Sequence, residues 1–341
     1  TRGPARGNTE RLLSSSADAI HSSGVRTGPT IRHCRLEYQG DDGIAIHGAY
    51  SLVVASRDRT TLLVSPKYEM PFRPGDRIRL YDGKAFSLKN QVSVVAVTRA
   101  PKPTEDQLQT IGPLWKTYHS VASARKYYEV KVDVPLAVAP GDLVISPDRQ
   151  GNHFLVQDCR LGHNRARGIL VKASSGVIER NRIEDVGTCG IALGPEFAYW
   201  LEGDYVSDVV VRNNELREVG VGAAIVRHDR AVLVGAISVY ALAPDRRLPP
   251  GANNMNLTIE SNRIDSCGGI GMLIACAKNV QVRSNTIANT QFLGPLQGEK
   301  AFDIDSDTAI CVVQSEEVQF DNNTLAGKRI VHMKSSNGER R

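Results

Sequence analysis

Two stretches, HFLVQDCRLGHNRARGILVKA (residues 153–173) and SGVIERNRIEDVGTCGIALGP (175–195), read alike from end to end. Each opens on a short strand of alternating apolar residues and turns at a polar corner. A second apolar residue follows, then a glycine-containing turn and another short strand. The unit recurs as SDVVVRNNELREVGVGAAIVR (207–227), MNLTIESNRIDSCGGIGMLIA (255–275) and KNVQVRSNTIANT (278–290). Its corners are Cys159, Asn181, Asn214, Asn262, Asn285 and Asn323, spaced 22 or 23 residues apart where nothing is inserted. A repeat of this length means a solenoid, in which each unit buries its apolar face only against the next.

Leucine-rich repeats share the length, but their leucine frame is absent. Short β-branched strands with Asn corners predict an all-β fold, a right-handed parallel β-helix. Asn tolerates the left-handed backbone of a tight corner, and stacked amides bond to one another and satisfy buried polar groups. The segment TIRHCRLEYQGDDGIAIHG (30–48) fits the same frame, with Cys34 matching Cys159. The excess between these two corners predicts an insertion. It holds FRPGDRIRLYD (72–82) and VAPGDLVISP (138–147), each a Pro-Gly-Asp turn leading into a strand, and the strands TTLLVSP, VSVVAV and YYEVKVDV. These predict a small β-barrel. The expected organisation is N-terminal coils at 1–54, the inserted barrel at 55–150 and C-terminal coils at 151–341. Smaller excursions are expected at 195–206, 227–253 and 291–308, where loops thrown from a rigid solenoid shape a binding face.

Within this frame two adjacent aspartates, Asp41 and Asp42, precede a strand. Asp42 lies eight residues after Cys34, and Arg167 eight after Cys159. SSADAIHSS (15–23) resembles QGDDGIAIHG (39–48) and sets Asp18 one coil earlier. One column of the solenoid should therefore read Asp18, Asp42, Arg167, with Asp41 alongside and coils about 4.8 Å apart. Three carboxylates that close cannot all ionise cheaply, so one gains a raised pKa while the arginine keeps another charged. That is the equipment of an acid–base hydrolase, and the spacing is open to either retention or inversion at a sugar. His47 flanks the pair as a binding candidate.

Composition narrows the alternatives. The net charge of +5 is spread along the chain and aromatics make up 6%, which argues against a nucleic-acid partner. No run approaches the ~20 apolar residues of a membrane span. The six cysteines show no zinc spacing and read as small apolar fillers. No residue cluster has convincing metal spacing; FDIDSD (302–307) lacks the glycine and distant Glu of a calcium loop. No metal and no cofactor are expected.

In order along the chain, SADAIHSS, GP-x-I-x-x-C, QGDDGIAIHG, the barrel insertion, NRARGILVK and YWLEGDYVSDVVVRNN resemble glycoside hydrolase family 110, over about residues 14–330. Its members are exo-acting α-1,3-galactosidases built on a right-handed β-helix with an inserted barrel. The resemblance implies catalytic Asp18, Asp41 and Asp42, with inversion at the sugar and no assignment of acid and base. It implies that Arg165 and Arg167 bind hydroxyls or tune the carboxylates, and that Trp200 and Glu202 help form the sugar pocket. Glu202 would itself be the acid if its loop folds over the site. The implied partner is an oligosaccharide or glycoconjugate ending in α-galactose, which places the protein outside the cytoplasm, secreted or periplasmic. Members run longer at the N-terminus, so the first coils and their cap are expected to be missing here. Polygalacturonases share the aspartate arrangement, but their NTD is SAD here and their GHG and RIK motifs are absent. A hydrolase of another, acidic polysaccharide and a non-catalytic carbohydrate-binding β-helix are the competing readings.

Overall fold

The computed structural model describes residues 13–107, 109–110, 126–197, 200–222, 235–245, 247–251, 253–294 and 304–333. The chain winds into a right-handed parallel β-helix whose coils each contribute one strand to up to three sheets. One sheet stacks Ile20–Ser23, Ile44–Ala49, Ile169–Lys172, Ile191–Leu193, Gly235–Val239, Ile270–Ala275, Thr308–Val313 and Arg329–Met333. The other two run from Thr30–Arg32 to Glu316–Asp321 and from Arg35–Glu37 to Thr286–Thr290.

Register explains the core. Ile20, Ile44, Ile169, Ile191, Ile237, Met272, Ile310 and Ile330 lie directly over one another. Ile31, Val156, Ile178, Val211, Ile259, Val282 and Phe320 form a second inward column. A fully buried aliphatic side chain of this size contributes roughly 1.5–3 kcal/mol, and sliding one coil by a residue would turn its column outward.

The Asn corners form the expected ladder. The side-chain amide of Asn181 donates to Asn214 Oδ1 (3.0 Å), Asn214 to Asn262 (2.9 Å), Asn262 to Asn285 (3.0 Å) and Asn285 to Asn323 (3.0 Å). The second amide hydrogen goes to a buried carbonyl, that of Val211 in the case of Asn262. The left-handed residue, however, is the one before each ladder position: Arg180, Asn213, Ser261, Ser284 and Asn322 carry φ of 51° to 55°. Asn is needed at the corner for its amide, and the conformational burden falls on its neighbour.

At Tyr50 the chain leaves the helix. Ser51–Asp58, Thr61–Pro66, Tyr128–Val132, Leu88–Arg99, Arg77–Tyr81 and Leu143–Ile145 close into a six-stranded barrel. Both Pro-Gly-Asp turns bury their aspartates, which accept the backbone N–H three residues back: Arg73 N to Asp76 (2.8 Å) and Ala139 N to Asp142 (2.9 Å). A seam of Tyr50, Tyr81, Phe86, Phe197 and Tyr205 ties barrel to helix. Within it Asp204 accepts from Tyr50 (3.1 Å), Tyr81 (2.7 Å) and Arg79 (2.8 Å).

One expected excursion is corrected. Gly235–Val239, expected within a loop at 227–253, is a core strand paired between Ile191–Leu193 and Ile270–Ala275. The alternative AAIV strand (223–226) lies outside the described residues. A Ser-containing segment reads poorly as a buried strand, yet Ser238 Oγ bonds Gly235 O and so meets its own polar demand.

Candidate active site

The column forms as the repeat predicts. Because Ile20 pairs with Ile44 and Ile44 with Ile169, the residues two positions earlier, Asp18, Asp42 and Arg167, stack at the entry to the first sheet. Asp42 N donates to Asp18 Oδ1 (3.1 Å) and Arg167 N to Asp42 Oδ1 (2.9 Å), so each carboxylate caps the coil above it. Arg167 also grips Asp42 through Nε (2.9 Å) and Nη2 (2.8 Å). Asp41 projects from the same turn and meets Arg165 Nη2 (3.1 Å), while Arg165 Nε donates to Gly40 O (3.0 Å). Oxygens of Asp18, Asp41 and Asp42 lie within 4.8 Å of one another.

The three are not equivalent. Asp42 is 2% exposed and both its oxygens are occupied by Arg167. The Asp41 side chain is 38% exposed. Burial and the neighbouring charges of Asp42 and Asp18 raise its pKa, against the opposing pull of Arg165. Burial acts to raise Asp18 as well, but His21, the Asp42 amide and Arg167 outweigh it and leave its pKa lowered.

A second polar group lies over the far ends of the same strands. Glu202 sits in Glu202–Gly203, which folds back antiparallel onto Gly48–Ala49. Its oxygens accept from Lys67 (2.8 Å), on the barrel, and Lys172 (2.8 Å), on the helix. The Lys67 ammonium lies 4.7 Å from the Tyr68 ring centre and 5.0 Å from that of Trp200, within cation–π range. His21 bridges the groups: its Nδ1 is 3.1 Å from Asp18 Oδ2 and its Nε2 2.8 Å from His47 Nε2.

This geometry corrects two expectations. His47 is 1% exposed, with Nδ1 on Gly48 O (2.8 Å) and Nε2 on His21, so it has no face for a sugar. Glu202 is not an acid in waiting. Burial would raise its pKa, but Lys172, His47 and Lys67 hold it well below the usual carboxylate range. It is the shared anion of Lys67 and Lys172, a charge hub. Trp200 is exposed and stands with that hub, its ring over the Lys67 ammonium. Sequence reasoning missed Lys67 and Lys172. Lys172 left a signal, a cation ending the apolar run ILVK, in register with His47.

Between the first described coil and the barrel opens a cleft of about 610 Å³, lined by His21, Ser23, Lys67, Tyr68, Arg73 and Arg149 among others. Its link to the aspartates is His21, which lines it and contacts Asp18. The three carboxylates are close enough to share a cation, but Arg165, Arg167 and His21 already meet their charge. Asp305 and Asp307 of the acidic loop pair with Arg329. All six cysteines are free thiols, five of them buried. Among the described residues no helix is long and apolar enough to cross a membrane.

Residues 251–338 match the family model described as a right handed beta helix region. Among curated proteins, α-1,3-galactosidase A of Shewanella woodyi is 25% identical over 211 residues, 60% of this chain and 31% of that protein. α-1,3-Galactosidase B of Bacteroides thetaiotaomicron is 25% identical over 217 residues, 61% of this chain and 31% of that protein. The Bacteroides fragilis α-1,3-galactosidase B is 23% identical over 303 residues, 84% of this chain and 47% of that protein. The chain thus spans between about a third and a half of the length of these relatives. Among solved structures, a tailspike of Pseudomonas phage phi297 aligns with a TM-score of 0.28 at 10% identity, over 92% of this chain and 55% of that one. By these matches the chain is similar to the α-1,3-galactosidases.

Proposed function

We propose that the protein is a glycoside hydrolase that removes terminal α-1,3-linked galactose from oligosaccharides or glycoconjugates, acting from the chain end and with inversion. The observation that carries this reading is the aspartate cluster. Three carboxylates approach within 4.8 Å, one gripped at both oxygens by a two-pronged arginine, another turned toward solvent, and the third joined through His21 to a cleft. A solenoid that only binds sugar gains nothing from such a charge concentration, whereas hydrolysis needs a proton donor and a base at one carbon.

Substrate and stereochemistry rest on the resemblance. Carboxyl groups flanking a glycosidic bond stand about 5–5.5 Å apart in retaining enzymes and about 6.5–9.5 Å apart in inverting ones. Nearest oxygens within 4.8 Å are tighter than the inverting range, because backbone N–H groups and arginines draw the side chains together. Inversion is proposed from the family and not from the spacing. An acidic polysaccharide is the weaker reading, since Lys67 and Arg149 in the cleft are already paired with Glu202 and Asp76.

The test is galactose release from Galα1-3Gal, Galα1-4Gal and Galα1-6Gal by the full chain and by Asp18→Asn, Asp41→Asn and Asp42→Asn. Release from the α1-3 substrate alone, lost in all three variants, is the expected result. Equal release from all three linkages, or undiminished release by the variants, overturns it.

A further inference from the structure

The Asn ladder ends where the barrel interrupts the helix. Its next two positions are held by Cys159 and Cys34. Gln157 pairs with Arg32 and Arg160 with Arg35, so the cysteines between them superpose on adjacent coils. The whole barrel lies between these two coils in the chain.

Cys159 keeps the backbone half of the ladder: its N–H donates to Asn181 Oδ1 (3.0 Å). Its thiol faces Gln157 O (3.2 Å) and Ile31 O (3.7 Å), and the Cys34 thiol faces Arg32 O (3.3 Å). A thiol has one weak donor where an amide has two strong ones. The noncovalent link is therefore weakest at the one junction that must hold across an inserted domain. Stacked coils about 4.8 Å apart set the two Cα atoms inside the 4.4–6.8 Å range of natural disulfides. The two cysteines also touch: the N–H and thiol of Cys34 both act on the Cys159 sulfur, whose pKa burial raises. A hollow of about 490 Å³ lined by both cysteines, His33, Arg35 and Arg160 opens beside them and leaves the half-buried Cys34 room to turn.

The other four cysteines face different groups. Cys189 donates to Ser238 Oγ and Cys276 to Pro249 O, while Cys267 pairs with Thr290 and Cys311 with Leu273.

We infer that Cys34 and Cys159 are a disulfide-forming pair, oxidised by a small disulfide, and that the bond clasps together the coils on either side of the barrel. Cys34, the accessible thiol, loses its proton to solvent and attacks one sulfur of the oxidant. The oxidant's S–S bond breaks, and its other half leaves as a thiolate. Cys159 gives its proton to water, bonds to Cys34 Sγ and displaces the second half as a thiolate. The two cysteines lose two electrons and the oxidant gains them. The closed loop spans the barrel, and a loop of that size constrains the unfolded chain strongly.

The test uses the full chain, reduced with dithiothreitol and then held in equimolar reduced and oxidised glutathione. After acid quench, unfolding and alkylation, mass spectrometry should find the Cys34 and Cys159 peptides joined and the remaining four of the six thiols alkylated. The melting midpoint should rise by roughly 5–10 °C over the reduced chain, and Cys34→Ser should show no such rise in the same buffer. Cys159→Ala should trap glutathione on Cys34. Six alkylated thiols, a wild-type chain that stops at the glutathione adduct, or cross-links to other cysteines refute the pair. A Cys34–Cys159 bond that leaves the midpoint unchanged or lowers it refutes the clasp, and no adduct on the Cys159→Ala chain refutes attack by Cys34.

Discussion

Replacing Glu202 by Gln distinguishes a catalytic carboxylate from a charge hub. The Glu202 carboxylate is the shared anion of Lys67 and Lys172, both at 2.8 Å, and these lysines are 2% and 1% exposed. Gln keeps the volume and an acceptor oxygen but strands two ammonium groups away from water. Removing one partner of a buried ion pair costs about 3–5 kcal/mol, mostly as the penalty of the charge left behind. Urea unfolding at pH 7 should therefore show Glu202→Gln destabilised by about 3–5 kcal/mol with an unchanged slope. Adding Lys172→Met removes one stranded charge and should recover roughly 2 kcal/mol, the coupling expected of residues in contact. Galactose release, measured where the variant is folded, should fall no more than stability and pocket order dictate. A loss of stability below about 1 kcal/mol together with abolished hydrolysis would refute the reasoning and return Glu202 to the reacting groups.

Two further outcomes follow from the same structure. Asn262→Ala orphans the N–H and side-chain amide of Asn214 and the bond to Val211 O, at about 1–3 kcal/mol for each buried group left unpaired. Asn323→Ala, at the partly buried last rung, lets water replace its bonds and should cost much less; equal losses in urea unfolding would contradict the ladder account. His47 supplies a pH signature. Its folded pKa of about 4 lies below the unfolded value of about 6.5, so the unfolded chain binds the proton first as pH falls. Its contribution, about 3 kcal/mol, is complete above about pH 6.5 and is lost between there and pH 4. The wild-type chain should lose more stability across that window than His47→Gln, and parallel curves would contradict the neutral buried imidazole.

Sequence periodicity reveals the aspartate column because a solenoid turns it into vertical stacking. Once Cys34 and Cys159 mark equivalent corners, Asp42 and Arg167 have to superpose, and one-dimensional spacing becomes three-dimensional contact. The barrel is legible for a different reason: Pro-Gly-Asp turns before apolar strands announce hairpins that do not fit the coil. The hub of Glu202, Lys67 and Lys172 is invisible because its members lie on a loop, a barrel strand end and a coil strand, brought together only when the barrel packs down. His47 misleads because a polar residue beside a candidate site reads as exposed, whereas Glu202–Gly203 pairs back over its strand and covers it.

The most direct test of the central claim is proton NMR of Galα1-3Gal mixed with the wild-type chain, read from the first minutes and run beside Asp41→Asn. Early β-galactose, preceding mutarotation and absent with the variant, is the predicted result. Early α-galactose would contradict inversion, and no galactose from a folded chain would contradict the assignment of the aspartate cluster to hydrolysis.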